Sequence, residues 1–141
     1  MDKLRTIKFR GFNKKRGIWL YGNYILNRGA HFIAPQEFAN GKTWEDYEVE
    51  EESIGQFTGL VDRNGLEIYE GDFILHEDST WGGVVQWHPN GYFFINDSWG
   101  KEYSRLSSYR PLGYMLGKYD FKIIGNEFDN SDLIEKGGQD E

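Results

Sequence analysis

The stretch that decides the fold is IGQFTGLVDRNGLEIYEGD, residues 54–72. Residues 54–61 and 66–69 read as strands, because their apolar side chains recur in short extended runs bounded by turn residues. Asn64 and Gly65 lie between the two runs. This dipeptide is the strongest local mark of a hairpin, since both residues tolerate positive φ. The stretch therefore predicts a β-hairpin that turns at Asn64 and Gly65.

A tight corner at Gly71 and Asp72 follows the hairpin. Glycine lets the chain bend sharply, and an aspartate carboxylate can accept backbone N–H bonds at such a bend. We therefore interpret Asp72 as a structural residue rather than a catalytic one. Comparable turn signals occur further along the chain at Asn90, Gly91, Gly125 and Asn126.

Short strands separated by turns recur along the rest of the chain, at residues 6–12, 18–26, 31–34, 73–76, 84–87, 92–95 and 121–124. This recurrence predicts a mainly β fold, in which antiparallel hairpins form a small barrel or a curled sheet. The length of 141 residues fits one domain. We place that domain at residues 1–136, with a barrel core over 53–136 and an N-terminal hairpin region over 1–35 packed on it. We expect residues 137–141 to be a frayed acidic tail.

Three segments are less regular. Residues 36–52 predict a surface excursion whose acidic run is exposed to solvent. Residues 104–119 have apolar residues at mixed spacing, and Pro111 interrupts any helix there. Asn130 can cap a short C-terminal helix over residues 130–135, because asparagine is a favoured helix N-cap.

Composition limits the classes of function. The chain has no cysteine, which excludes disulfides and thiolate metal sites and favours the reducing cytoplasm. Its first residues alternate charge with apolar side chains, and no apolar run is long enough to cross a bilayer, so we expect no signal peptide and no membrane partner. The formal net charge of -7 disfavours non-specific binding to nucleic acid.

The charge is divided between separate parts of the chain. Basic residues crowd the N-terminal region, at Lys3, Arg5, Lys8, Arg10, Lys14, Lys15 and Arg16. Acidic residues crowd residues 45–52 and the C-terminal end. One interpretation is a solvated surface whose opposite charges complement each other within the molecule. The other is self-association of two copies through the same charges.

The central stretch resembles the signature block of the YopX family, in three pieces that span Gln56 to Leu60, Asp62 to Gly65 and Ile68 to Asp72. Shorter pieces agree in the same order at residues 7–12, 84–87 and 123–130. The resemblance therefore runs from near the first residue to about Leu133. Two departures are visible: Gly11 stands where a small residue such as Ala is expected, and Phe57 stands where Tyr is common.

The YopX family consists of phage- and prophage-associated proteins of bacteria. The resemblance implies a mainly β fold, with an SH3-like barrel over the C-terminal half. It also implies an origin in a phage or prophage, and hence a place of action in the cytoplasm of the bacterial host. It supplies no catalytic residue that could be carried over to this chain.

Catalytic and metal-binding patterns are weak. The chain lacks a Gly-x-Ser-x-Gly elbow, and His31, His76 and His88 do not stand in a nucleophile-and-base motif. His76 and His88 could lie on paired strands and hold an ion together with nearby carboxylates, which leaves a small metal-assisted enzyme as a minor alternative. We expect no catalytic residue, no metal and no cofactor.

Binding is the better supported class of function. Trp81 and Trp99 lie in expected loops and are candidate partner contacts, together with the basic residues Arg5, Lys8 and Arg10. We expect Trp87 and alternate members of residues 92–95 to be core. The leading hypothesis is a phage-derived, non-enzymatic binding or assembly module that contacts another protein or a second copy of itself. The alternative is a small barrel that binds single-stranded nucleic acid by stacking bases on aromatic rings.

Overall fold

The structure, a computed structural model, describes residues 4–77, 81–98 and 109–132. Its strands are β1 (Phe9–Asn13), β2 (Ile18–Asn27), β3 (Ala30–Ala34), β4 (Gly55–Val61), β5 (Glu67–Tyr69), β6 (Asp72–His76), β7 (Gly82–His88), β8 (Tyr92–Asn96) and β9 (Phe121–Asn126), and its helix is α1 (Leu112–Lys118). The strands form two antiparallel sheets, which confirms the mainly β prediction. The chain divides into two compact units, Met1–Gly59 and Leu60–Glu141.

The strand order of the first sheet is β3-β2-β1-β4-β5. The long strand β2 serves two partners. It pairs with β1 up to Gly22 and with β3 from Asn23 onward. At Gly22 an added Cβ would lie 2.5 Å from the carbonyl oxygen of Ala34. Only glycine permits this close approach of the two backbones.

The segment before β4 covers the first unit's sheet. It contains two short 3-10 helices, Trp44–Tyr47 and Glu51–Ser53. Tyr47 and Val49 are each only 5% exposed, so the predicted surface excursion is wrong for this part. Apolar side chains placed between the acidic residues turn inward, because they can bury their surface against the neighbouring strands.

Hydrogen bonds fix this segment to the strands. The Val49 N–H donates to the carbonyl oxygen of His31 at 2.9 Å. The Ser53 hydroxyl accepts the Phe12 N–H at 2.7 Å. Val49 also explains the departure at Gly11, because a Cβ added there would lie 2.8 Å from its side chain. The segment therefore requires glycine at that position of β1.

In the second unit the sheet order is β8-β7-β6-β9. The core beside it consists of Ile68, Ile74, Val85, Ile95, Leu112 and Phe121. The described strands leave β8 and β9 as the ends of this sheet and do not close into a barrel. The structure thus shows antiparallel sheets without confirming the SH3-like barrel. The single-domain interpretation over residues 1–136 stays a prediction.

The helix α1 begins directly after Pro111, where a proline was expected to interrupt any helix. Proline has no N–H, but the first residues of a helix need no N–H partner, so it is compatible with a helix start. Leu112 follows it and is buried in the core. The predicted C-terminal helix lies outside the described residues from residue 133 onward, as does the acidic tail. No described helix has the length and apolar character needed to cross a membrane.

The predicted corner holds strands of the second unit together. Asp72 is buried, and its carboxylate accepts the Tyr69 N–H at 2.7 Å. The Gly71 N–H donates to the carbonyl oxygen of Val85, and the Gly71 carbonyl oxygen accepts the N–H of Glu127. Gly71 itself has a φ of 96°, which favours glycine. The corner therefore joins β6, β7 and the segment after β9.

The predicted turns occur at the expected positions. In the first, Gly65 has a φ of 84° and its N–H donates to the carbonyl oxygen of Asp62. In the second, the N–H groups of Asn90 and Gly91 donate to the Nδ1 and carbonyl oxygen of His88. At the end of β9, the side chain of Asn126 bonds to Asp129, and the Asn126 N–H donates to the side-chain oxygen of Asn130.

Candidate functional site

An apolar groove of about 480 Å³ opens on the first unit. Ile25, Leu26, Asn27, Phe32 and Trp44 line it. The first three come from the end of β2, Phe32 from β3, and Trp44 from the start of the first 3-10 helix. The volume lies in the range of sites that bind small molecules.

The indole of Trp44 is held between other rings yet remains half exposed. It meets Phe32 edge-on, with ring centroids 5.2 Å apart, and Phe38 edge-on at 4.9 Å. Phe38 packs in turn on the buried Tyr47 at 4.4 Å. Even so, Trp44 is 50% exposed. An exposed aromatic ring in a fixed position loses little side-chain entropy on binding, which favours its use as an anchor.

The groove lies on one face of the β2–β3 hairpin. From Asn23 to Asn27, β2 pairs with β3, while the register with β1 ends at the pair Phe9 and Gly22. Among the described residues no further strand pairs with that part of β2. Its sequence, NYILN, contains no charged residue and no proline. Charged residues and proline commonly block strand pairing at exposed sheet edges, and this part of β2 has neither.

The basic and acidic parts of the first unit meet close to the groove. The ammonium of Lys15 lies 3.1 Å from Asp46 and 3.5 Å from Glu45. The hydrogen bond to Asp46 raises the pKa of Lys15. A hydrogen bond from the Thr43 backbone N–H lowers the pKa of Asp46, and the hydrogen bond from Lys15 lowers it to a smaller extent. This pair is one instance of charge complementarity within the molecule, and self-association through the remaining charges stays a prediction.

Glu48 keeps negative charge at the rim of the groove. It lies opposite Phe32 across an isolated antiparallel bridge and is exposed. Glu45 follows Trp44 directly, and its side chain is 79% exposed although Lys15 is near. The rim beside the indole is therefore acidic.

The basic residues predicted to contact a partner differ in their exposure and contacts. Arg5 is exposed, and Lys8 holds its ammonium 5.2 Å from the ring centroid of Phe57. Arg10 was expected to face solvent, but it is only 8% exposed, and its guanidinium lies 5.0 Å from the ring of Trp19. Its place in β1, between β2 and β4, explains the burial.

Of the two tryptophans predicted to contact a partner, the structure describes only Trp81. Trp81, in the second unit, is 37% exposed and lies 5.8 Å from the partly exposed ring of Tyr119 and 5.3 Å from Phe121. Trp99 lies outside the described residues. Trp81 thus belongs to an aromatic cluster with one accessible side.

Trp87 was expected in the core, but the structure shows it exposed. It is 52% exposed and meets Phe93 edge-on at 4.8 Å, whereas Phe94 and Ile95 on the paired strand are buried. The core cluster on this face includes Val85 and ends before Trp87. An alternating strand pattern shows which face a side chain takes but not how far the core extends along that face.

His76 and His88 lie on paired strands, as the metal hypothesis requires, but at opposite ends of them. The β6–β7 register pairs Leu75 with Gly82, which puts His76 at the start of β7 and His88 at its end, about 20 Å apart. One ion cannot bind both rings at that separation. The part of the chain that the structure describes contains no group of three His, Asp or Glu side chains able to hold a metal.

Sequence reasoning missed the groove. Its residues come from one hairpin and from a segment expected to be a surface excursion. One signal was present: NYILN is a strand-like run without charge, and a tryptophan follows the turn residues Asn40 and Gly41.

The fold and the site define a small, mainly β protein with an apolar groove on the face of a β-hairpin. The YopX protein family model matches residues 8–135, and the chain belongs to this family. Protein EF1440 from Enterococcus faecalis is a similar solved structure, with 22% sequence identity and a TM-score of 0.52 over 93% of this chain and 99% of that one. At this identity the similarity shows the fold alone. No curated protein matches the sequence.

Proposed function

We propose that this protein is a phage- or prophage-derived binding module that works without catalysis, by contact with another protein in the bacterial cytoplasm. The observation that carries the proposal is the apolar groove with the half-exposed, ring-supported Trp44. Tryptophan is among the residues that contribute most to protein interfaces, particularly when it stands in a pocket. The phage origin is the expectation that accompanies the YopX family.

Exposure of neighbouring apolar residues supports the same function. Leu26 is 58% exposed and Phe38 is 37% exposed, and both lie close to Trp44 in the first unit. Apolar side chains grouped on a surface are unfavourable in water, and such patches commonly mark interaction sites. A partner that covers these side chains would remove their apolar surface from water, which favours binding.

Affinity capture from a bacterial host lysate, combined with light scattering, tests the proposal. We expect the wild-type protein to retain a defined protein that Trp44→Ala retains poorly. Trp87→Ala is the matched control, because Trp87 is as exposed as Trp44 but belongs to the second unit. A strict monomer that captures nothing, or equal capture by the Trp44 variant, would contradict the proposal.

A second candidate is binding of single-stranded nucleic acid. The exposed pair Trp81 and Tyr119 favours it, since aromatic rings provide stacking platforms for bases. The net charge of -7 opposes it. Mobility of a labelled oligonucleotide at low salt separates the candidates. A shift that Trp81→Ala weakens would favour this function, and no shift would end it.

A further inference from the structure

We propose that two copies of this chain pair through β2, edge to edge and antiparallel, about a two-fold axis at Ile25. In this register Ile25 faces its own equivalent in the second copy. Asn23 faces Asn27 of the second copy, and the residues between them, Tyr24 and Leu26, face each other in the same way. The inference goes beyond the proposed function, because it concerns the free backbone edge of β2 and not the capture of another protein by the groove.

Main-chain groups along β2 point alternately to its two edges. The Val49 N–H donates to the carbonyl oxygen of His31 on the outer side of β3, which is the end strand of its sheet. Successive residues of a strand direct their main-chain groups to opposite sides, so Phe32 bonds inward to Ile25, its partner in register. By the same alternation, the N–H and C=O groups of the residues before and after Ile25 point to the other edge of β2.

Those two residues, Tyr24 and Leu26, have unused main-chain groups at that edge. In the described part of the chain, no strand pairs with β2 on this side beyond Gly22. No main-chain hydrogen bond joins Tyr24 or Leu26 to a described loop or turn. A row of such groups is a template for another strand. In the proposed register, Tyr24 of each copy exchanges both main-chain bonds with Leu26 of the other.

The sequence of this edge, NYILN, complements itself when it is reversed. Both of its ends are asparagine, so amide meets amide, and the aromatic Tyr24 meets the aliphatic Leu26 in a favourable cross-strand pair. At the centre, Ile25 meets its equivalent in a non-hydrogen-bonded pair, where the Cα atoms lie only about 4.5 Å apart. A two-fold interface requires such a patch, since it must suit its own symmetry mate.

Pairing would also bury apolar surface on both faces of the joined sheets. Phe32 lies beside Ile25 in register, and the side chains of an antiparallel pair share a face. The dimer would therefore carry one row of Phe, Ile, Ile and Phe across the axis. On the opposite face Leu26, which is 58% exposed, would pack on Tyr24 of the second copy. Both contacts remove apolar atoms from water, which favours pairing.

Charge does not oppose this contact. The edge carries no charged residue, and residues 1–59 contain nine Lys or Arg against eight Asp or Glu. The acidic excess of the chain belongs to residues 60–141. Two copies of the first unit can therefore approach with little net repulsion. The contact is short, so we expect a weak dimer with a dissociation constant of roughly 10–100 µM.

Disulfide trapping tests the register, because the chain has no cysteine of its own. At about 200 µM protein, Ile25→Cys should form a disulfide-linked dimer with oxidised glutathione, since the two sulfur atoms meet at the axis. Asn23→Cys is the matched control on the same edge, because its equivalent lies about 13 Å away along the paired strands. A mixture of Asn23→Cys and Asn27→Cys should cross-link again, since these positions face each other.

Analytical ultracentrifugation measures the same equilibrium without a cross-link. We expect the mass of the unmodified chain to rise from one copy to two as its concentration increases. Leu26→Pro should raise the dissociation constant by about tenfold or more, because it removes the N–H that donates across the axis. Leu26→Ala keeps that N–H and should have a smaller effect. Circular dichroism checks that both variants remain folded.

Each outcome decides the inference. A monomer at every concentration, equal cross-linking of Asn23→Cys and Ile25→Cys, or an unchanged dimer for a folded Leu26→Pro would overturn it. A monomer that still captures another protein through Trp44 would leave the proposed function intact. A dimer trapped at Ile25, with equal capture by the wild type and Trp44→Ala, would contradict the proposed function alone.

Discussion

At the residue scale, Asp62 shows why a turn signal can have distant effects. Its carboxylate is buried, and one oxygen accepts the N–H groups of Asn64 and Leu66 at 2.8 and 2.9 Å. The other oxygen accepts the Ile123 N–H at 3.0 Å. Sequence reasoning located the turn, because turn chemistry is local. It could not show that the same side chain supports β9.

We expect Asp62→Asn to lower the free energy of unfolding by about 2 kcal/mol. Whichever way the new amide is turned, its NH2 group meets a backbone N–H donor, so at least one bond is lost. Urea unfolding monitored by circular dichroism measures the effect. Asp120→Asn is the control, since Asp120 is exposed. Equal stability of the two variants would refute this role of Asp62.

Gly11 is the second residue whose role the structure defines. We expect Gly11→Ala to destabilise the protein by about 1–3 kcal/mol, because the new methyl group would overlap Val49. The double variant Gly11→Ala/Val49→Ala should lose less than the sum of the two single changes. Gly117→Ala is the control: nothing outside its own helix lies within 4 Å of the added methyl group, so it should not destabilise the protein. Strict additivity in thermal unfolding would contradict the contact.

At the element scale, local patterns predicted hairpins and missed the pieces that depend on packing. The strands around Asn90 and Gly91 occur as expected. Helix α1 was missed because Pro111 was interpreted as a helix breaker rather than a helix start. The 3-10 helix at Trp44–Tyr47 was missed because its acidic residues suggested full exposure. The first error concerns local helix-start chemistry, whereas the second arises where burial against neighbouring strands overrides local preference.

This 3-10 helix makes stability depend on pH. A carboxyl group whose pKa is lowered by folding, such as Asp46, contributes stability above its unfolded pKa. That contribution is lost as the pH falls through the folded value. Lys15, whose pKa is raised, contributes stability below its unfolded pKa, and this is lost as the pH rises through the folded value.

We therefore expect Lys15→Gln to be less stable than the wild type near neutral pH. The two stability curves should converge in acid, where Asp46 is protonated and no longer attracts the ammonium. Urea unfolding across a pH series measures both curves. Lys14→Gln, which changes the neighbouring exposed lysine, should follow the wild type at every pH. A difference that persists in acid would assign the effect of Lys15 to another contact.

At the scale of the whole molecule, sequence reasoning predicted the fold class correctly. It did not determine whether the sheets close into a barrel, and it did not identify the groove. Closure depends on the register of strands far apart in sequence, which hairpin signals do not determine. The groove joins the end of one hairpin to a segment with no regular pattern. Each unit has buried apolar residues of its own, such as Ile33 and Val49 in the first and Ile74 and Phe121 in the second.

Separate cores predict separate local stabilities. We expect Val49→Ala to remove about 1–3 kcal/mol from the first unit, since it deletes buried methyl groups. Amide hydrogen exchange should then accelerate by about tenfold or more in β3 and remain unchanged in β7. Equal acceleration in both strands would show that the two units open together.

The half-exposed indole of Trp44 also makes the intrinsic fluorescence of the protein sensitive to occupancy of the groove. Half of the ring is exposed to solvent, so its emission should be red-shifted and accessible to acrylamide. Any occupant of the adjoining space would dry that half, shift the emission to shorter wavelengths and shield it from the quencher. Subtracting the spectrum of Trp44→Phe would isolate this signal from the other four tryptophans, so occupancy could be followed without a label.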